Sequence, residues 1–300
     1  MSKPQVSVLL STYNGELYLQ QQLDSIYAQK GVNVNLLVRD DGSTDKTCDI
    51  LQKEALAKKL TWYTGENLKP AWSFWHLLVS SPQSAYYSFS DQDDFWLEDK
   101  LFTAVSHLKD FEAEPALYFS QTQLADAQLH ALPNVTLTPL LTYGEALIYQ
   151  FVGGCTMVIN DKMREILLRY TPNYMQMHDF WIYDVALAVG AHVVFDSTPH
   201  MLYRQHGHNA VGQLNQKQFV WKSRINRLLK HENIRLRTTQ ELWNGYKDLM
   251  PVENQILTQR ILSYPKSCLN KMKLMFDKRL TCSKRSVTWS TKLSFLLHLF

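Results

Sequence analysis

Residues 5–10 (QVSVLL) form a short apolar run rich in β-branched side chains, which the polar STYNGE ends; such a run predicts a buried strand. From Glu16 the period changes. Leu19, Leu23, Ile26 and Tyr27 recur at offsets of 4, 7 and 8, the stripe of an amphipathic helix. A second strand is expected over residues 32–38, broken by RDDGSTDK, in which Ser43 or Thr44 is placed to cap a helix running to Ala57. The same reading gives a strand over residues 60–64, a helix over 72–79, a strand over 86–89, a helix over 101–111 and a strand over 116–120. A loop-rich stretch with Pro133 and Pro139 follows, then FVGGCTMVIN, an aromatic helix HDFWIYDVALAVG, a strand HVVFD and the polar YRQHGHNAVG. Beyond Leu214 glycine nearly vanishes, and helical runs such as FVWKSRINRLLK (residues 219–230) dominate.

Strands that alternate with helices imply an α/β fold, with a mostly parallel sheet, right-handed crossovers and helices on both faces. Ligands of such sheets bind beyond the carboxyl ends of the strands. STYNG, DDGSTD and SDQDD each follow a strand, so all three are expected along one rim.

Composition narrows the setting. At 300 residues and 45% hydrophobic content, the chain can bury one sizeable core plus a small domain or a helical extension. Cys48, Cys155, Cys268 and Cys282 are scattered, with neither disulfide nor zinc spacing, which fits a reducing cytoplasm. The first residues hold no signal-like apolar region, and no run reaches 18 apolar residues, so neither export nor a membrane span is expected. Charge is uneven: from Lys217 onward lie 17 of the 31 Lys and Arg residues but only 5 of the 28 Asp and Glu. A basic tail can meet nucleic acid, anionic lipid or an acidic protein. Without a nucleic-acid motif to accompany it, peripheral contact with an anionic membrane is the expected partner, and nucleic acid is not. The alternative is that its apolar face packs on the rest of the chain and its charges are only solvated.

Candidate chemistry gathers in SDQDD. In extended backbone Asp91 and Asp93 share a face and Gln92 points away. Like charges about 4 Å apart repel by roughly 4 kcal/mol at an effective dielectric near 20, a conflict that a divalent cation removes. Oxygen ligands suit Mg²⁺ or Mn²⁺. The plainer alternative is a solvated loop whose aspartates cap the next helix or pair with Lys100. In DDGSTD, Gly42 makes a turn, and a strand-end carboxylate there can also accept hydrogen bonds from a nucleobase or ribose. Tyr13 offers a stacking face for a base. Arg204 is placed to pair with phosphate and His206 to complete a metal shell or touch a pyrophosphate, unless their loop merely closes over the site. Gly153 and Gly154 allow close approach of a sugar, or simply a turn. Trp96 and Trp181 either stack on sugar rings or belong to the core.

Taken in order, VSVLLSTYNGELYLQQQLDSI, DDGSTD, FSDQDDFW, FVGGCTMVIN and MHDFW resemble an inverting glycosyltransferase of family 2 with a GT-A fold, most like the bacterial rhamnosyltransferases. The resemblance spans about residues 5–212. It implies a nucleotide site at Ser11, Tyr13, Asp40, Asp41 and Asp91, and a metal at Asp93 with Asp91. It also implies a general base at Asp179, with Asp184 in reserve. His178 stands where the family has glutamate, which leaves its part in donor or acceptor binding open. A catalytic domain over residues 1–214 is expected, its nucleotide half about 1–95 and its acceptor half about 96–214, followed by a helical basic region over 215–300. The implied donor is dTDP-rhamnose, with a UDP-hexose as the alternative. The acceptor is a glycan or lipid-linked glycan of a bacterial surface polysaccharide, met in the cytoplasm at the inner face of the cell membrane. Competing readings are a non-catalytic nucleotide-sugar or carbohydrate binder, and a nucleotidyltransferase.

Overall fold

The computed structural model describes residues 3–206, 233–297 and Phe300. The stretch over residues 219–230 and the expected boundary at residue 214 lie outside the described residues.

Strands β1 (Gln5–Thr12), β2 (Asn33–Asp40), β3 (Thr61–Thr64) and β4 (Tyr86–Ser90) alternate with helices α1 (Leu19–Tyr27), α2 (Thr47–Leu56) and α3 (Lys69–Ser80). A two-residue strand β5 (Phe95–Trp96), helix α4 (Lys100–Leu108), strands β6 (Ala116–Ser120) and β7 (Gln123–Ala125), and helix α5 (Tyr143–Ala146) come next. They lead to β8 (Val158–Asn160), α6 (Asp161–Leu167), α7 (His178–Val189), β9 (His192–Asp196) and β10 (Met201–Arg204). The main sheet has seven strands in the order β3-β2-β1-β4-β8-β6-β9, all parallel except β8, which runs antiparallel to both neighbours. The mostly parallel sheet thus stands as read from the pattern. A small second sheet, β5-β10-β7, was not legible in it.

Alternation assigns the two faces. Val6, Val8 and Leu10 of β1, with Leu36 and Val38 of β2, pack under α1, α2 and α4 through Leu19, Leu23, Ile26, Leu51, Leu101 and Leu108. The intervening Leu9 and Leu37, with Tyr87 and Phe89 of β4, face α3 and α7. Strand order runs outward from β1 through β2 to β3, then reverses to place β4 on β1's other side. That reversal opens a crevice beyond the ends of β1 and β4, where such sheets take their ligands.

The chain ends in helices α8 (Ile234–Tyr246), α9 (Val252–Ser263), α10 (Cys268–Phe276) and α11 (Arg285–Leu296). Leu242, Tyr246, Leu257, Ile261 and Phe295 belong to the same buried cluster as Leu9, Phe89 and Trp181. Tyr143 and Thr258 join their hydroxyls at 2.8 Å across that contact. Each fully buried side chain of this kind contributes about 1.5–3 kcal/mol. The extension is therefore part of the fold's support. Among the described residues, no helix is long and apolar enough to cross a membrane.

Candidate active site

The three loops meet on one rim and are tied to each other. Asn14, at a left-handed φ of 48°, accepts from the Thr44 amide at 2.9 Å and donates its own amide to Ser43 at 2.8 Å. The Gly15 amide donates to Thr47 at 2.8 Å. Gln92 does not point idly away. Its carbonyl oxygen accepts from the Thr12 hydroxyl (2.6 Å) and the Tyr13 amide (2.9 Å), and its amide nitrogen donates to the Tyr13 carbonyl at 3.1 Å. Gln92 staples the β1 loop to the β4 loop, a role that charge and periodicity could not signal. Tyr13 stays exposed.

Below Tyr13 lie Ser11, whose hydroxyl is 2.7 Å from that of Ser73, and Arg39, which donates to Ser73 (3.3 Å) and to the Glu66 carbonyl (2.9 Å). Arg39 also pairs with Asp41. Asp40 is a correction. Fully buried, it accepts from the Gly42 and Ser43 amides, both at 3.0 Å, and from the Thr64 hydroxyl at 3.1 Å. It holds the turn and does not face a nucleotide. Ser43 donates its hydroxyl to Asp40, and neither it nor Thr44 caps α2.

Where β4 ends, negative charge is crowded into low dielectric. Donor atoms of Asp91, Asp94 and Cys155 lie within 4.8 Å of one another. Burial, then Asp93 and Asp179, push the Asp91 carboxyl up to about 7. Burial, then Asp91 and Asp93, hold Asp94 well above the usual range. The Asp93 carboxylate sits 2.8 Å from His206 Nε2, and the His206 ring packs on Tyr18 with centroids 4.9 Å apart. Carboxyls that retain protons because they are buried and, secondly, crowd each other suit a cation that would replace those protons. Burial and the nearby carboxylates raise the Cys155 thiol, so the donor set is one of oxygens, as Mg²⁺ or Mn²⁺ requires. Asp94 was read only as part of the acidic run and Cys155 only as one of four scattered cysteines, because only the fold brings residue 155 beside residue 94.

Lys100 lies beneath this cluster. Its ammonium is 3.6 Å from the Trp96 ring centroid and 3.5 Å from the Ser88 hydroxyl, and burial lowers its pKa to about 7. Trp96, 1% exposed, is thus a core ring that carries a cation, not a platform for sugar. Trp181 is likewise 2% exposed and packs on Tyr246 at 6.0 Å, so it is core as well. Arg204 is a third correction. Its guanidinium donates to the Asp93 carbonyl (2.8 Å), the Ala127 carbonyl (2.5 Å) and Gln21 (2.6 Å), and lies over Tyr18 at 4.4 Å. Buried and fully engaged, it braces the acidic loop and does not reach a phosphate.

Asp179 enters from the first turn of α7. It accepts from the Gly154 amide at 3.1 Å and from the Phe180 amide at 2.8 Å. Burial raises it to about 6, against the pull of those amides. Its charge is among those that raise Asp91, so the two carboxylates lie near enough to feel each other. His178 does not face that cleft as a sugar ligand. It is buried between Phe74 and Phe89, with ring centroids 4.0 and 5.6 Å away, and burial lowers it to about 3. A neutral, apolar-packed ring fills the place. Asp184 is buried and held by the Gln150 amide at 2.6 Å.

Gly154 is required by this packing. A Cβ there would lie 2.4 Å from His178 Nε2 and 3.3 Å from the Asp179 Cβ, whereas one on Gly153 meets nothing closer than 3.9 Å. Close approach at Gly154 is therefore to the protein's own helix, not to a sugar. Gly154→Ala is expected to cost about 1–3 kcal/mol of stability by overpacking and to lower turnover at least tenfold by displacing Asp179. Gly153→Ala is expected to leave both nearly unchanged; thermal melts and initial rates on the two variants compare them directly.

Comparison with known proteins gives a consistent picture. A model described as glycosyl transferase family 2 matches residues 7–122. The chain is 30% identical over 228 residues to the dTDP-rhamnosyl transferase RfbG of Shigella flexneri, covering 68% of this chain and 73% of that protein. Among solved structures, S. aureus TarS (residues 1–349) in complex with UDP-GlcNAc superposes with a TM-score of 0.58 at 15% identity, covering 99% of this chain and 82% of that one. The mannosyltransferase PcManGT from Pyrobaculum calidifontis, in complex with GDP-Man and Mn²⁺, gives 0.52 at 17% identity, over 99% and 86%. These likenesses confirm the GT-A fold.

Proposed function

The chain belongs to glycosyl transferase family 2, and on that premise we propose that it transfers rhamnose from dTDP-rhamnose, with inversion, onto a hydroxyl of a glycan that is free or lipid-linked. The product extends a bacterial surface polysaccharide, and the reaction takes place in the cytoplasm, against the inner face of the cell membrane. What supports this reading is the electrostatic proximity of Asp179, at the start of α7, to Asp91 at the end of β4, with burial raising Asp179 to about 6.

Each residue has a part in it. Tyr13 stacks on the base, while Ser11 and Asp41 line the floor of the nucleotide crevice. Asp91 and Asp93, with Asp94 behind them and His206 beside Asp93, would hold Mg²⁺ or Mn²⁺. When bound, that ion offsets the negative charge that grows on the departing diphosphate. Asp179 accepts the proton of the attacking hydroxyl, and a base near 6 is ionised at neutral pH yet still takes up that proton in the transition state. The amides of Gly154 and Phe180 aim its carboxylate. A neutral His178 adds no competing charge beside it.

The rhamnose reading rests on the RfbG relative, at twice the identity of the TarS structure whose ligand is a UDP-sugar. A thermal-shift panel with Mn²⁺ tests it. Donor at 100 times its dissociation constant stabilises by about 2.7 kcal/mol, which for a domain of this size is a rise of roughly 5–10 °C. dTDP-rhamnose is expected to give that rise at lower concentration than any UDP-hexose. The reverse order would transfer the assignment to UDP-hexose, and diphosphate release with an acceptor present separates an enzyme from a mere binder.

A further inference from the structure

The last two helices present apolar side chains outward. On α10, Leu269, Met272 and Phe276 are exposed at offsets of 3 and 7, a single stripe, while Leu274 on the other side is buried. On α11 and its C-cap, Trp289, Leu293, Leu296 and Leu297 are exposed at offsets of 4, 7 and 8, again one stripe. The inward side of α11 is the more polar one, with Thr288, Thr291 and Lys292 buried beside Phe295. Phe276 is 69% exposed and Trp289 60%, values unusual for rings that could have been buried by rotating the helix. The two helices pack on each other, so the stripes are carried by neighbouring elements.

Charge identifies what would cover them. Residues 266–292 carry eight Lys and Arg and a single acid, Asp277. Asp277 is already engaged by Arg260 at 2.8 Å and by Arg279 at 2.7 Å. Lys266, Lys273, Lys278, Lys284 and Arg285 are exposed around the stripes. Tryptophan, phenylalanine and leucine set among lysine and arginine match an interfacial helix on anionic lipid: apolar groups enter the acyl boundary and the bases meet the headgroups. We propose that α10 and α11 dock this protein on an anionic bilayer surface, through Leu269, Met272, Phe276, Trp289, Leu293 and Leu297. This goes beyond the catalytic reading and does not rest on it, because the contact needs neither donor nor metal.

Flotation of the full chain tests it, using phosphatidylcholine vesicles with and without phosphatidylglycerol. The wild type is expected to float with the anionic vesicles and to be released by salt. The pairs Leu269→Ser/Phe276→Ser and Trp289→Ser/Leu293→Ser are each expected to weaken binding about tenfold or more, given the apolar area they remove. Lys273→Glu/Arg285→Glu is expected to weaken it on anionic vesicles only. These positions are exposed, so melting temperatures and donor binding should hold, and a variant that fails to melt cooperatively is replaced by the single substitution Trp289→Ser. Three results overturn the proposal. One is a wild type that ignores anionic vesicles. Another is binding that survives both apolar pairs and is lost only on substituting Phe219 and Trp221. The third is a dimer that the apolar pairs dissociate, without vesicle binding, which assigns the stripes to a second copy.

Discussion

Asp179→Asn is expected to lower kcat by about 10³-fold, within the range by which a positioned general base accelerates proton transfer, while donor affinity stays within about twofold. The asparagine keeps the shape, and its single carbonyl oxygen can still accept from one of the two amides, Gly154 or Phe180, that the carboxylate engages, so basicity is lost together with one hydrogen bond. Wild-type kcat/KM should rise as pH passes upward through about 6, the value to which burial raises this carboxyl. Stability should move the other way. A carboxyl raised on folding binds its proton more tightly in the native state. Its stabilising contribution is therefore complete below the unfolded value and is lost as pH rises through the folded one. Asp179→Asn removes that loss, so at pH 8 the variant should melt at or above the wild type even though it is inactive. Rates of nucleoside diphosphate release and melting curves at pH 5 and 8 check both. A variant with near-normal kcat would move the base elsewhere, with Asp184 too buried to take its place.

Most of this site's placement, and less of its working detail, was legible in the chain. Strands alternating with helices indicated a parallel sheet, and in such a sheet the loops after β1, β2 and β4 share one rim. The aspartate run stood out by residue type, whereas Asp179 was implied only by the family resemblance. What escaped was the set of residues whose work depends on a neighbour remote in sequence. Gln92 reads as a polar filler until the β1 loop comes within 3 Å of it. Arg204 reads as a phosphate ligand until three acceptors from distant segments take its donors. Trp96 and Trp181 have the composition of sugar platforms and the burial of core residues, and only packing separates the two. Asp40 and Asp41 are adjacent and chemically identical, yet the turn at Gly42 consumes the first and the Arg39 side chain meets the second.

Asp91→Asn should separate the metal's contribution from that of the base. Its carboxyl is held near 7 by burial and by the charges of Asp93 and Asp179, so in the metal-free protein it is a cost at any pH above that value. Neutralising it relieves the crowding. The metal-free variant should therefore melt higher than metal-free wild type at pH 8, and the difference should shrink as pH falls and the wild-type carboxyl takes up its proton. Transfer should behave oppositely and fall by about 10²–10³-fold, the loss typical of removing one preorganised electrostatic contact in a water-poor site. The rise in melting temperature that Mn²⁺ gives the wild type together with dTDP should disappear. In the wild type that rise should weaken below pH 7, because the ion then competes with the proton on Asp91. Asp93→Asn should also lose the metal response. The same loss of metal response in both variants is what a cation between these side chains requires. If Asp91→Asn keeps an undiminished Mn²⁺ response, the ion does not sit at the end of β4.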